Sequence, residues 1–220
     1  MIAPRPETKV RELVEEGNHV ATLYRIIYMG TVEGEYKGEP NSSYKVDLTW
    51  ELNNEMKVWK EGEVAKPIVL SKSYTLSMAP KSNLLPIVEG IVGGLSQEEA
   101  DYFDLDNLLG KVCLLNVIHG VSEKTGKKYE NVSTSKIMKG IPAPSPFNKQ
   151  AILSYQDWNE EMFKALPQWM REKMETTPEY KKMKKGSYAE GPETVDIKVP
   201  PMDVQLESYT EELDPADIPF

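Results

Sequence analysis

The sequence predicts a mainly β protein in which five strands form a barrel and a helical insert separates the third strand from the fourth. Three observations lead to this prediction. Residues 18–78 contain three stretches rich in valine, isoleucine, threonine and tyrosine, which favour pleated structure. Residues 81–110 change to a helical spacing of apolar side chains. Residues 111–138 then return to strand composition around one short turn.

Composition and alternation predict the first three strands. "NHVATLYRIIYMGTV" forms the first, and the loop "EGEYKGEPNSS" follows because Gly, Pro, Asn and Ser favour turns. "YKVDLTWELNN" alternates between apolar and polar side chains, which is typical of a half-buried strand. "PIVLSKSYTLSMA" forms the third. We expect Tyr44, Trp50 and Tyr74 to point into the core.

The helical insert and the last two strands complete the order. "KSNLLPIVEGIVGG" and "LSQEEADYFDLDNLLG" are predicted to be helical, with Ser96 as a start and Gly93, Gly94 and Gly110 as stops. "KVCLLNVIHGVS" and "KYENVSTSKIM" form a hairpin across the link "EKTGKK". Three strands, a helical insert and two strands is the order of the five-stranded oligonucleotide/oligosaccharide-binding barrel, the OB-fold.

A helical extension is predicted beyond the barrel. "KGIPAPSPFN" is proline-rich and forms an extended linker. In "DWNEEMFKALPQWMREKMETT", Asp157 and Glu160 fit a capping box, and Pro167 either kinks the helix or starts a second one. Its Trp and Met side chains share one face, which we expect to pack back on the barrel. The predicted units are an N-terminal arm (1–17), an OB-fold domain (18–140), a linker with the helical extension (141–186) and a disordered acidic tail (187–220).

Charge is distributed unevenly along the chain. The net charge is −9, but residues 187–220 hold nine acids and one lysine, so this tail carries −8 and residues 1–186 carry only −1. A segment of acids and prolines with few large apolar groups is expected to be disordered. An acidic tail of this kind acts as a separate interaction device.

The sequence contains no pattern that supports catalysis. Cys113, His19 and His119 are the only cysteine and histidines, too few for a disulfide or a histidine-based metal centre. Neither a phosphate-binding loop nor a nucleophile–base set is recognisable. The N-terminus lacks an apolar signal segment, and no stretch of 18 apolar residues occurs. We therefore expect a cytoplasmic protein that is not an enzyme, needs no metal or cofactor and does not contact membranes.

The strands and loops interleave aromatic side chains with cations. Rings stack on unpaired bases and cations follow the phosphates, so this pattern is typical of proteins that bind single-stranded nucleic acid. Lys72 lies on the apolar face of its strand, where burying a lysine is costly, and this favours a groove on that side. The candidate nucleic-acid-binding residues are Arg25, Tyr36, Lys37, Lys45, Trp59, Lys72, Lys124, Lys127, Lys128 and Tyr129.

The chain ends in "LDPADIPF", in which an apolar tip follows an acidic segment. Its acids suit a basic rim on a partner protein, while the Phe220 ring fills a pocket and the terminal carboxylate pairs with a cation. The same tail can occupy the protein's own cationic groove until nucleic acid, another polyanion, displaces it. The candidate partner-binding residues are Asp214, Asp217, Ile218, Pro219 and Phe220.

Two resemblances add to this interpretation. The "DIPF" end is similar to the C-terminal tip of bacterial single-stranded DNA-binding proteins, although the body lacks their long Gly/Gln-rich linker. Residues 16–150 resemble single-stranded DNA-binding proteins of tailed bacteriophages in "EGNHVATLYRIIYMGT", "LTWEL", "SKSYTLSM", "FDLDNLLGKVCLLNVIH" and "GIPAPSPFN". This resemblance implies an OB-fold that coats single strands in phage replication or recombination in the bacterial cytoplasm. It also implies a tip that recruits replication or recombination enzymes.

The charge of the body supports a second hypothesis. DNA-binding domains usually have a basic surface, whereas residues 1–186 carry −1. The alternative is an OB-fold module for protein–protein contact in a phage replication or recombination complex, without intrinsic DNA binding. A clustered basic groove would favour DNA, and scattered lysines would favour the protein–protein module. Oligomeric state, site size, strand polarity and the choice between DNA and RNA stay open, and a homo-oligomer is compatible with the sequence.

Overall fold

The structure, a computed structural model, describes residues 12–36, 39–59, 61–122, 125–137 and 144–186. Its strands are β1 (Gly17–Tyr36), β2 (Glu39–Lys57), β3 (Lys66–Thr75), β4 (Val112–Val121), β5 (Lys128–Lys136) and β6 (Ala151–Leu153). Its helices are α1 (Leu84–Val92), α2 (Gln97–Asp101), α3 (Glu160–Ala165), α4 (Gln168–Thr176) and α5 (Pro178–Lys184), with a 3₁₀ turn at Leu105–Leu108.

The strands form one mainly antiparallel sheet in the order β3-β2-β1-β4-β5, and β6 adds a short parallel pairing to β1. The predicted mainly β class and the position of the helical insert between β3 and β4 are confirmed. The sheet is open, because β3 and β5 are its two edges and no backbone ladder joins them within the described ranges. These edges meet through a side chain instead, where Nζ of Lys72 donates to the backbone oxygen of Glu130 (3.2 Å). The closed barrel expected from the strand order is therefore not formed.

β1 bends the sheet and serves both halves of it. Residues 17–22 pair with β4, and residues 25–27 pair with β6, while the opposite edge of β1 follows β2. The register with β2 shifts between Leu23 and Arg25 and again between Tyr28 and Gly30. Such irregularities increase twist and bend a strand. One 20-residue strand can thus line the interior at one end and support an outer layer at the other.

The inner face of the sheet holds the main core. Val46, Leu48, Trp50 and Leu52 of β2 are fully buried there, and Tyr74 of β3 is nearly so. The inward orientation predicted for Trp50 and Tyr74 is therefore confirmed, whereas Tyr44 is only partly buried. α1 joins this core through buried leucine, isoleucine and valine side chains.

Local signals in the helical insert set its boundaries as predicted. α1 ends at Gly93, whose φ of 97° favours glycine. α2 begins at Ser96 with a complete capping box, in which Glu99 is the reciprocal partner. Gly110, with φ of 77°, follows the 3₁₀ turn and leads into β4.

A second core lies on the outer face of β1. Ile27 and Met29 of β1 pack with the buried side chains of Phe163, Met170 and Met174 from the C-terminal helices. The expectation that this extension packs back on the sheet is confirmed, and Pro167 does separate two helices, α3 and α4.

The prediction that Asp157 and Glu160 form a capping box at the start of the extension is wrong. The N-cap of α3 is Asn159, whose side chain accepts from the backbone N–H of Met162 (2.9 Å). Asp157 lies two residues before the cap, and its backbone N–H donates to the hydroxyl of Ser154 (3.0 Å). None of the helices within the described ranges has the length and apolar character needed to cross a membrane.

Candidate nucleic-acid interface

Two loops that carry predicted site residues lie at the same end of the sheet. Ala21 of β1 pairs with Leu52 near the end of β2, and Gly17 pairs with Val117 near the end of β4. The β2–β3 loop and the β4–β5 turn therefore both lie where β1 begins. This end of the sheet, called the loop end below, contains Trp59 on one side and Lys127 and Lys128 on the other.

Residues 12–16 run between these two loops and belong to no helix or strand. Val14 is buried in the main core, its N–H donates to Oε1 of Glu130 (3.2 Å), and its carbonyl oxygen lies 2.7 Å from Nε2 of His119. Glu12 pairs with Lys57 at the other side. The N-terminal segment therefore connects the end of β2 to the β4–β5 hairpin.

His19 contributes to the same connection. Its Nε2 lies 2.9 Å from the backbone oxygen of Glu15, and its Nδ1 lies 3.3 Å from Oε1 of Glu55 in β2. The ring is buried. Both histidines of the chain thus contact the N-terminal segment. Sequence reasoning missed this role, because no local pattern relates His19 or His119 to residues 14 and 15.

Trp59 is the more accessible of the two predicted aromatic side chains that the structure describes, with 56% of its surface exposed. The amine of Lys57 lies 5.4 Å from the centre of its ring, which is a cation–π distance. Met56, Val58 and Val64, at the end of β2 and in the same loop, are also exposed. The β2–β3 loop therefore offers one ring, one neighbouring cation and an apolar surround.

Tyr129 forms the second ring–cation pair, at the gap between the two sheet edges. Its ring centre lies 5.6 Å from Nζ of Lys72. A Cβ added at Gly120, its cross-strand neighbour, would lie only 2.6 Å from the ring, so the glycine permits this close approach. Lys72 is half-buried, and its amine donates to the backbone oxygen of Glu130 across this gap (3.2 Å).

Arg25 and Lys45 lie elsewhere, on the outer face of β1 and β2. Nε and Nη2 of Arg25 both donate to the hydroxyl of Thr49 (3.3 Å), and the guanidinium lies 5.8 Å from the Tyr24 ring centre. The amine of Lys45 donates to the hydroxyl of Thr75 (2.8 Å). The structure therefore does not bring these two cations to the loop end.

The outer face near Arg25 also contains a buried carboxyl group. Burial raises the pKa of Asp47, while hydrogen bonding to Ser73 and the charge of Arg25 oppose that rise. The hydroxyl of Ser73 donates to Oδ2 of Asp47 (2.9 Å), and that of Thr49 donates to Oδ1 (3.1 Å). Arg25 therefore has a structural partner close by.

Several predicted positions cannot be placed in the interface. Tyr36 pairs with Glu39 at the far end of β1, away from the loop end, and its side chain is outside the described part of the structure. The remaining predicted residues outside the described ranges are Lys37, Lys124, Asp214, Asp217, Ile218, Pro219 and Phe220.

Acidic residues accompany the cations at the loop end. Glu12 pairs with Lys57, and Glu63 pairs with Lys66 (3.6 Å). The predicted cations are thus distributed over the loop end, the sheet gap and the outer face, and the described residues form no single basic groove containing all of them. Among those residues, no group of three or more histidine, cysteine or acidic side chains could hold a metal ion.

No family model matches the chain, and no curated protein matches it significantly.

Proposed function

We propose that this protein binds single-stranded DNA without sequence preference, through the loop end and the adjacent gap between β3 and β5. The observation that carries the proposal is the pair of ring–cation contacts, Trp59 with Lys57 and Tyr129 with Lys72. A ring offers a stacking surface to any base, and the neighbouring amine attracts the phosphate. This combination does not require hydrogen bonds to base edges.

The fold proposed for this function is an OB-type barrel left open between β3 and β5. The strand order β3-β2-β1-β4-β5 and the helical insert after β3 support it. In this fold, oligonucleotides lie across the sheet and contact the loops at its rim. Trp59 and Lys127 would contact the strand from two such loops, and Lys72 and Tyr129 would contact it between them.

The acidic tail completes the proposal as a recruitment device. Residues 187–220 carry −8 and end in an apolar tip. A basic rim with an apolar pocket on another protein would bind this tip through Asp217, Ile218 and Phe220. With the resemblance to phage proteins, this supports a role in phage DNA replication or recombination in the bacterial cytoplasm, where the tip recruits enzymes to the coated strand.

An equilibrium titration with fluorescent oligo-dT at two salt concentrations tests the DNA-binding proposal. We expect binding at low salt that weakens steeply as salt rises, because phosphate contacts release counterions. Trp59→Ala and Tyr129→Ala should each lower affinity about five- to a hundredfold, since stacking contributes about 1–3 kcal/mol per base. Tyr102→Ala is the matched control, because Tyr102 is an exposed ring (88%) on the helical insert. Absence of binding at low salt, by both the full chain and a chain lacking 187–220, would contradict the proposal.

A protein–protein module is the second candidate. The observation that favours it is the exposed apolar group Met56, Val58, Trp59 and Val64, together with the paired state of Lys57 and Lys66. Apolar patches with few unpaired charges suit protein contacts better than phosphates. Under this alternative the full chain would show no salt-dependent affinity for oligo-dT, so the same titration separates the two candidates.

A further inference from the structure

α5 is held on the outer face of β1 by its one acidic residue. The carboxylate of Glu179 accepts two hydrogen bonds from Thr31, one from the backbone N–H (2.9 Å) and one from the side-chain hydroxyl (2.6 Å). Gly30, with φ of 88°, makes room for this contact, because an added Cβ would lie 2.8 Å from Oε2 of Glu179. The helix begins at Thr177, whose hydroxyl accepts from the N–H of Tyr180 (3.3 Å). The position of α5 on the sheet is therefore well defined.

This attachment leaves the outward side of α5 basic. Residues 178–186 contain four lysines and Glu179 as the single acid, and the carboxylate of Glu179 is directed at β1. Lys184 pairs with Glu160 (3.2 Å). Lys181, Lys182 and Lys185 are exposed, and none of them forms an ion pair with another residue in the described ranges. These three residues are called the α5 lysines below.

The apolar side of the same helix is already covered. Tyr180 and Met183 pack against the second core, and the Tyr180 ring lies 5.5 Å from that of Phe163. None of the exposed large apolar side chains of the described chain lies in residues 160–186. A protein partner usually needs an aromatic or aliphatic anchor at the centre of its interface. A surface of cations without such an anchor is better suited to the phosphodiester backbone.

Lys45 extends this surface onto the sheet. It pairs with Gly30 across β1 and β2, and paired residues of antiparallel strands project on the same face. Glu179 lies over Gly30, so the backbone of Lys45 lies beside the attachment point of α5, while its amine is directed across β2 to Thr75 of β3. Lys45 lies far from the loop end, and we assign it to the surface formed by the α5 lysines.

We propose that the α5 lysines, with Lys45, form a second contact site for the phosphodiester backbone of single-stranded nucleic acid. This inference rests on the proposed DNA-binding function and adds a surface to it. Gly30 lies thirteen residues along β1 from Gly17 at the loop end. At about 3.3 Å per residue the two sites are separated by about 40 Å along the strand. A long strand can contact both sites, whereas a short one bound at the loop end cannot.

The test compares two oligonucleotides on the full-length chain. One oligo-dT has about 4 nucleotides, the smallest site size of a single OB-fold, and the other about 32, twice the largest. The variant is Lys181→Gln with Lys182→Gln and Lys185→Gln. The matched control is Lys81→Gln with Lys111→Gln and Lys149→Gln, which removes three other exposed lysines and changes the net charge equally. Thermal unfolding of both variants verifies that they are folded.

We expect the α5 variant to bind the long oligonucleotide about tenfold or more weakly at low salt, while its affinity for the short one is unchanged. Its salt slope on the long oligonucleotide should be smaller by about two, since each phosphate contact on a single strand contributes about 0.7. An unchanged slope, or an equal loss in the control variant, would overturn the second site while leaving the loop end intact. Binding of poly-glutamate to the wild type and to the α5 variant is measured in parallel. If the α5 variant loses poly-glutamate binding but keeps its oligo-dT affinity, the α5 lysines bind acidic peptides and not nucleic acid. Absence of wild-type binding to either oligonucleotide would overturn both proposals.

Discussion

The two faces of β2 are equally buried but chemically opposite. On the inner face, Leu48 and Trp50 have no exposed surface and belong to the apolar core. On the outer face, Thr49 and Glu51 are just as inaccessible, and Asp47 is 1% exposed. The sequence alternation correctly separates these two sets. It does not show that the polar face is covered, because the cover comes from residues about a hundred positions later in the chain.

Glu51 shows how the outer face is covered. Its carboxylate accepts from the backbone N–H groups of Phe147 and Asn148 (both 2.8 Å) and from the Asn148 side chain (2.7 Å). A buried carboxylate requires such donors, since burial of a charge without hydrogen bonds is costly. Hydrogen bonds from this specific protein segment therefore replace the hydrogen bonds that water would make to Glu51 on the outer face. That segment leads directly into β6 and the C-terminal helices.

The largest effect is expected for a change on the inner face. Trp50→Ala removes the largest fully buried side chain and leaves a cavity, which should lower the free energy of unfolding by about 3–5 kcal/mol. Urea unfolding of the full chain measures it. The exposed Tyr102→Ala should change stability by less than about 0.5 kcal/mol. A similar small value for Trp50→Ala would show that the inner face is not the main core.

On the outer face, Glu51→Gln should cost about 2–3 kcal/mol, because the amide cannot accept from all four donors, the fourth being the Asn53 side chain (3.3 Å), and a buried N–H is left unpaired. Hydrogen exchange provides a local readout, with protection expected to fall at Phe147, Asn148 and residues 151–153 before it falls in β2. Glu61→Gln, at an exposed position, is the control. Uniform loss of protection across the sheet would mean that Glu51 supports the whole fold and not this attachment.

The smallest effect concerns the second outer carboxyl group and depends on pH. Burial raises the pKa of Asp47 above its ordinary 3.8, so the folded protein holds this proton more tightly than the unfolded chain. Its contribution to stability is therefore greatest below pH 3.8 and is lost as pH rises through the folded pKa.

In Asp47→Asn this decline should be absent from urea unfolding measured at a series of pH values. Asp157→Asn, at an exposed position, should retain it. Superimposable pH profiles of wild type and Asp47→Asn would refute the assignment of the decline to Asp47.

Much of the fold could be read from the sequence because its signals are local. Alternation identified the inward side chains Trp50 and Tyr74, and the capping residues located α2 at Ser96 and the end of α1 at Gly93. Pro167 marked the break between two helices. The start of α3 was misplaced, because Asp157 and Asn159 are both suitable caps and only packing of the helix selects one.

The candidate site was less predictable, because side chains that are distant in sequence determine it. Composition predicted that aromatic rings and cations form the site. It did not predict that Trp59 and Lys127 lie at the same end of the sheet while Lys45 lies on its outer face. The basic sequence "EYKKMKKGS" contained the signal for the α5 lysines. Their exposure depends on the orientation of α5, in which Glu179 faces β1, and this orientation is set by tertiary contacts.

The sequence by itself determined the mainly β class, the order of the first five strands with the helical insert after the third, the inner face of β2 and the segregation of negative charge into the tail. These properties depend on neighbours two to four residues apart or on composition alone. The tertiary structure decided that the sheet stays open between β3 and β5, that the polar face of β2 is buried, and where the lysines of the described ranges lie. The physical reason is that burial and hydrogen-bond partners depend on which segments meet in space, such as Glu51 with residues 147–148.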